Sequence, residues 1–396
     1  MSTSPESSTP SSTAGPTGES YDADAAVVGL GAMGSHTFWR LAVRGVDVLG
    51  FEQFRPGHNQ GSTHGSTRLF RTLCLEHPGL VPVARKSLAL WRDLERETGR
   101  PIVRLTGGLM IGRPDSEIIR GVREAAQVHG QDVRTLTAGE IRKEFPQHAE
   151  IGDDDVAILD PEAGVGRPEN AVLSATEAAV AAGGRLVDRV AVSGIELVEG
   201  GAVIRTAART FLVRQVVVTA GPWMYQLLPA LPYQPIRTPL TWFTPDVDPA
   251  QFDLDAFPTF IREMPDGNRI WGHGSDTDHA VKIGPEDDPH YTLVNPDEVD
   301  RSISPADYTL VSRLVSRYLP DLDPEPTSAA PCMITRSPDM QFIVGRPYGD
   351  PRLLVGGGDS GHAFKHAAGL GEALAQMAVG EPTYTDFAFT DPNRFL

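Results

Sequence analysis

The 396-residue sequence is poor in cysteine and in positive charge, and it contains no long apolar run. Two cysteines, Cys74 and Cys332, cannot build a disulfide framework, which excludes the small stapled scaffolds of secreted proteins and points to a cytoplasmic location. Lys and Arg number 35 against 52 Asp and Glu, a net charge of -17 with no acidic tail, so nucleic acid and anionic membrane are not expected partners. No stretch approaches the roughly 20 apolar residues of a membrane span. The first residues, MSTSPESSTPSSTAGPTGES, lack the basic start and apolar middle of an export signal, and their composition predicts a disordered tail over 1–20. The remaining length is enough for two domains.

What the chain does have begins at Ala25. Ala25–Val28 is a short apolar run suited to a buried strand; Gly29, Gly31 and Gly34 then form G-x-G-x-x-G, and His36–Arg44 carries helical apolar spacing. Val46–Phe51 reads as a second strand ending at Glu52. This order is a dinucleotide-binding βαβ unit, in which glycines let backbone N–H groups approach a pyrophosphate at a helix N-terminus. The acid at the second strand's end suits a free ribose hydroxyl, which favours FAD or NAD over NADP.

Further along, QFRPGHNQGSTHGSTRLFR is too long and polar for a plain turn. Arg68 and Arg71 would share one face of a helix starting near Ser66, reading either as a solvated basic face or as a guanidinium pair for an anion; His58 and His64 read as polar loop residues. Helices are expected over Pro82–Glu97, Ser116–His129, Thr137–Phe145, Asn170–Ala182 and Ser304–Tyr318. Val103–Gly112 reads as strand, turn and strand, and Ile158–Glu169 as a loop. Gly194–Val198 and Ala202–Thr206 form a hairpin, and Phe211–Ala220 is a buried strand whose ending, TAGPW, leaves room for a ligand. Thr238–Phe243, Phe257–Glu263, Arg269–His273 and Ala280–Ile283 alternate as an antiparallel sheet does. A last block has strands Met333–Thr335, Gln341–Val344 and Leu353–Gly356, then GGDSGHAFKHAAG opening a helix. Lys365 near that helix N-terminus is unfavourable for the dipole, so a compensating anion is expected.

Four blocks together, the glycine fingerprint through Glu52, HNQGSTHGSTRLFR, CMITRSPDMQFIVG and GGDSGHAFKHAAGLGE, resemble the monomeric sarcosine oxidase and N-methyltryptophan oxidase family of flavoenzymes. The likeness spans nearly the whole chain after residue 21. It implies an α/β protein with a discontinuous Rossmann-type FAD-binding domain (21–103, 160–233 and 330–396) and a β-rich substrate domain of antiparallel sheet (104–159 and 234–329).

The resemblance also implies roles. Gly29, Gly31, Gly34 and Glu52 would hold the ADP half of FAD, and Ser62, Thr67, Arg68, Val190, Gly221, Ser360, Gly361, His362 and Lys365 would also bind the cofactor. Cys332, in C-M-x-T-x-x-P-D, would bind the flavin covalently. Arg71 and Lys365 would grip a substrate carboxylate, and Lys282 would serve dioxygen. The expected reaction is oxidation of an N-methyl or cyclic amino acid to an imine with release of hydrogen peroxide, by a monomer without a metal. A dehydrogenase using another acceptor and a non-catalytic FAD-binding protein are the alternatives.

The sequence departs from the family at Trp271, where a tyrosine is usual, at Glu286, where a histidine is usual, and at Ile334 and Asp359, both usually aromatic or apolar positions. Sarcosine is therefore not the expected substrate. Trp271 reads as a stacking surface or as core, and Glu286 as a pocket acid or as a salt-bridged loop residue.

Overall fold

A computed structural model describes residues 20–276, 280–286 and 292–396, with backbone alone at 292 and 293. The tail expected to be disordered lies, up to residue 19, outside the described residues.

The βαβ unit forms as its spacing requires. Strands Ala23–Val28 and Val48–Glu52 pair in parallel, with Thr210–Val218 beside the first and Arg185–Asp188 beside the second. Leu353–Gly357 runs parallel to Thr210–Val218, and the antiparallel strands Val192–Val198, Gly201–Thr206 and Ile343–Gly345 complete an eight-stranded sheet. Parallel strands need cover on both faces, and Val48–Glu52 is buried at every position. Helix Ala32–Ala42 supplies part of that cover and is itself buried at every residue except Arg40, because helices Pro168–Ala181 and Ala367–Val379 pack against it.

The second sheet has nine strands in the order Thr292–Leu293, Gln234–Phe243, Val281–Pro285, Arg269–His273, Thr259–Glu263, Gly108–Gly112, Val156–Asp160 and Arg134–Thr137, with Ser328–Arg336 paired along Gln234–Phe243. All its pairs are antiparallel except Thr259–Glu263 with Gly108–Gly112. Side chains alternate between its faces. Val281 and Ile283 enter a core with helices Ala138–Glu144 and Thr309–Tyr318, and the residue between them, Lys282, turns to the opposite face. The strand carrying Cys332 belongs to this sheet, whereas the expected segment 330–396 places it with the nucleotide-binding strands.

Two local expectations are corrected. Arg68 is on a short strand, Arg68–Phe70, because Ser66 at φ +65 breaks any helix there and the strand pairs with Gly164–Gly166. That partner and Val156–Asp160 lie within or overlap the stretch read as a loop. Val103–Leu105 and Gly108–Gly112 are strands on either side of a turn, as read from the sequence, and they join different sheets. No described helix is long and apolar enough to cross a membrane.

Candidate active site

Two neighbouring cavities, of about 140 and 210 Å³, open between the sheets. They share Ala32, Ser62, Thr63, Asp359 and Ala363, and so form one elongated groove.

The first chamber is bounded by the fingerprint. Gly29 sits at φ +90, and a Cβ there would lie 2.6 Å from Ala220 Cα. Gly34 does not line the chamber; it lets the helix seat on the strand end, since a Cβ would fall 1.8 Å from the Gly29 carbonyl oxygen. At Gly31 a Cβ would meet only Thr63 Oγ1 at 3.5 Å, so this glycine faces the opening. Glu52 is 4% exposed and lines the chamber; its carboxylate accepts the Leu30 and Phe54 amides, each at 3.0 Å. His58 Nε2 lies 3.3 Å from the same carboxylate, so a residue read as a plain loop histidine touches the acid expected to bind ribose. Ser62, Val190 and Gly221 line this chamber. Trp223 and Gln226, which spacing did not single out, form another wall and donate to Asp297 at 2.6 and 2.9 Å.

The second chamber collects Arg68, Arg71, Trp271, Glu286, Cys332, Ser360, Gly361, His362 and Lys365 from segments far apart in the chain. Cys332 is 5% exposed, with Arg68 Nη2 at 3.5 Å from its sulfur. Trp271 is a half-buried wall whose indole N–H donates to Pro285 O at 3.1 Å. Glu286 stands at the exposed rim, where its charge reaches Arg71. Thr67 is not in the lining.

Arg71 and Lys365 do converge, and the anion they grip is Glu76. Arg71 Nη2 and Lys365 Nζ reach the same oxygen, Glu76 Oε1, at 2.6 and 2.9 Å. Burial opposes ionisation of Glu76, yet the two cations outweigh it and hold its carboxyl well below the usual range. Burial also pulls Lys365 below an ordinary lysine despite Glu76. The Arg71 loop is fixed from behind by buried Asp160, whose Oδ2 accepts the Thr72 and Leu73 amides at 3.3 Å each. No sequence signal marked Glu76: it is a lone acid in TLCLEHPG, and only the fold brings it to Lys365 across 289 positions.

Lys282 is fully buried and outside the lining of both chambers. Its ammonium donates to Gly65 O and Thr67 O, both at 2.8 Å, and lies 4.9 Å from the Trp242 ring centre. Burial, then Arg68, lowers its proton affinity well below the ordinary lysine value. Thr67 also meets His273, whose Nε2 is 2.9 Å from the hydroxyl and whose pKa burial lowers to about 4. Among the described residues no group of His, Cys, Asp and Glu could hold a metal ion.

A family profile described as FAD dependent oxidoreductase matches residues 24–377. Monomeric sarcosine oxidase from Streptomyces avermitilis is 33% identical over 378 residues, 94% of this chain and 97% of that protein. N-methyl-L-tryptophan oxidase from Yersinia pestis is 31% identical over 374 residues, 94% of this chain and 100% of that protein. Among solved structures, NikD in its open form, an unusual amino acid oxidase essential for nikkomycin biosynthesis, matches with a TM-score of 0.79 at 23% identity over 93% of this chain and 97% of that one, a likeness of fold.

Proposed function

Because the chain belongs to the FAD-dependent oxidoreductase family, with the sarcosine and N-methyltryptophan oxidases among its relatives, we propose that it oxidises an N-methyl or cyclic amino acid larger than sarcosine to its imine and releases hydrogen peroxide. The observation that carries this reading is the double grip on Glu76: two cations from opposite ends of the chain are already arranged around a single carboxylate oxygen.

The groove fits FAD. Gly31 and Glu52 would hold the adenosine and pyrophosphate end, Ser62 and Thr63 the middle, and Arg68 with Ser360–His362 the ring end. Ser62 Oγ, buried with no hydrogen-bond partner among the described residues, is a polar atom that such a ligand would satisfy. Cys332, at the far end of the groove, supplies the sulfur for a covalent link. When bound, FAD supplies the ring that accepts a hydride from the substrate and passes the electrons to dioxygen.

The chain's own groups do the rest. The substrate carboxylate takes the place of Glu76 on Arg71 and Lys365, exchanging like charge for like, so the clamp is never left as two unpaired buried cations. Anchoring at two points fixes the α-carbon for reaction. The same positive field and the low dielectric favour the neutral amine, which is the form that can give up a hydride. Trp271, Ile261 and Leu240 wall the remaining space with apolar surface. Lys282, held by two carbonyls, puts positive charge behind the ring end, where it favours an oxygen carrying an extra electron.

A second reading, electron transfer to an acceptor other than dioxygen, gains from the position of Lys282 outside the lining. The test is a panel of N-methyl and cyclic amino acids assayed for oxygen uptake and peroxide. Peroxide release with a preference for bulky substrates is expected. A preference for sarcosine overturns the size argument, and substrate-reduced flavin that air leaves reduced selects the second reading.

A further inference from the structure

Of the five residues that line both chambers, Asp359 alone is ionisable. It follows strand Leu353–Gly357 in a turn where Gly358, Ser360 and Gly361 have φ of +69, +48 and +93. Ser360 pays for a left-handed backbone that a residue with a Cβ rarely adopts, and such strain persists where surrounding contacts over-determine it. Here its hydroxyl donates to Gly358 O and accepts the Ser337 amide, both at 3.3 Å. The turn delivers the Asp359 side chain, 9% exposed, to the junction of the groove.

The carboxyl group accepts the Gly361 amide at 2.9 Å on one oxygen and the Thr335 amide at 3.3 Å on the other. No described cation forms an ion pair with it. Burial pushes its pKa up to about 6, against the two amides and the more distant charge of Arg68. His362, on the same turn, is lowered to about 4 by burial, and Lys365 is committed to Glu76. From the facing strand come the Thr335 amide, the Cys332 thiol and the Arg336 guanidinium, which lines the second chamber.

We propose that Asp359 is a redox-tuning acid of the flavin site: its carboxyl takes up a proton from solvent when the bound flavin gains electrons, and returns it on reoxidation. This rests on the reading that FAD fills the joined chambers. An ionised carboxylate in a region of effective dielectric near roughly 20 repels added negative charge far more than it would in water. The protonated acid does not. Linkage makes the effect reciprocal, so reduction raises the proton affinity of Asp359 by the same factor that protonation raises the flavin's electron affinity. The electrons come from the amino acid substrate, or from dithionite in the test, and leave to dioxygen.

The test is a redox titration of the purified holoenzyme against reference dyes from pH 5 to 8.5, with dithionite as reductant and no substrate. The midpoint potential of the native enzyme is expected to fall more steeply with pH above about 6 and to flatten again at higher pH. Asp359→Asn should lose that extra slope and become easier to reduce at pH 8, and it should bind sulfite, an anion that adds to oxidised flavin, about tenfold more tightly there, the equivalent of one pKa unit. Identical curves and sulfite affinities in the two proteins overturn the proposal. If the variant does not retain flavin, a native potential with no such break overturns it alone. Because no substrate enters, a failed carboxylate clamp would leave this result readable.

Discussion

The two chambers of the groove are built in opposite ways. The first is framed by the βαβ unit, which gives Val28, Gly29, Gly31–Met33 and Phe51–Gln53, with a close contact at Gly29 that only glycine permits and an acid, Glu52, already held by amides. The second is mostly side chains drawn from both sheets, and Glu76 has folded in between two of its cations, Arg71 and Lys365. Shape specifies the first and charge balance the second, so substitutions should fail differently at the two ends.

The largest effect is expected in the glycine turn that frames the first chamber. Gly34→Val would drive a side chain into the Gly29 carbonyl, costing roughly 3 kcal/mol or more, and the protein should be recovered insoluble or with a sharply lower melting temperature. Gly31→Ala has the space and should fold normally while retaining less flavin, measured as the absorbance ratio of the purified protein. Equal damage from both would break the contrast.

At the other end, Cys332→Ser should leave fold and flavin binding in place but release the yellow colour on acid precipitation, which the unsubstituted protein should keep in the pellet. Colour in both supernatants would reject the tether. Arg71→Ala should weaken a carboxylate inhibitor about 10- to 100-fold in an anaerobic titration, the worth of a charge-assisted hydrogen bond of about 1.5–3 kcal/mol. Glu76→Gln, which removes the internal competitor, should instead tighten it severalfold. If both variants shift affinity in the same direction, Glu76 does not compete for the clamp.

The smallest effect is a graded one with pH. Burial, aided by Arg68 and Lys282, lowers His64 to about 3, and burial lowers His273 and His362 to about 4. Their unfolded values lie near 6.5. Each therefore gains a proton on unfolding in between, so the stability from their neutral forms is complete above about pH 6.5 and is lost as pH falls toward 4. The slope is roughly 1.4 kcal/mol per pH unit per group at most. All three stand behind or beside the second chamber, whereas the helix of the first carries one such residue, His36, at about 4. Denaturant midpoints should fall from pH 7 to 5; an unchanged midpoint would contradict the buried neutral histidines.

How far the sequence could be read follows the same division. The βαβ unit, the helix near Pro82–Glu97, the hairpin around residue 200 and the alternating strands from 238 to 283 were legible because each is set by spacing within a few residues. The resemblance blocks placed Arg71, Cys332 and Lys365 in one chamber, where the structure also puts them. The helix expected around Arg68 was not legible: Ser66 adopts a left-handed backbone, and Arg68–Phe70 finds its partner about a hundred residues away. Loop 158–169 hid two strands for the same reason, since a short segment becomes a strand only when a distant neighbour completes its hydrogen bonds.

The sequence by itself determined the dinucleotide turn, because a turn and a helix start depend on backbone torsions that neighbouring residues dictate. Only the tertiary structure decided that Glu76 neutralises the clamp, that Lys282 lies beneath the lining and that Asp359 stands where the chambers meet. Those facts are distances between side chains hundreds of positions apart, fixed by how two sheets pack, and no local pattern encodes them.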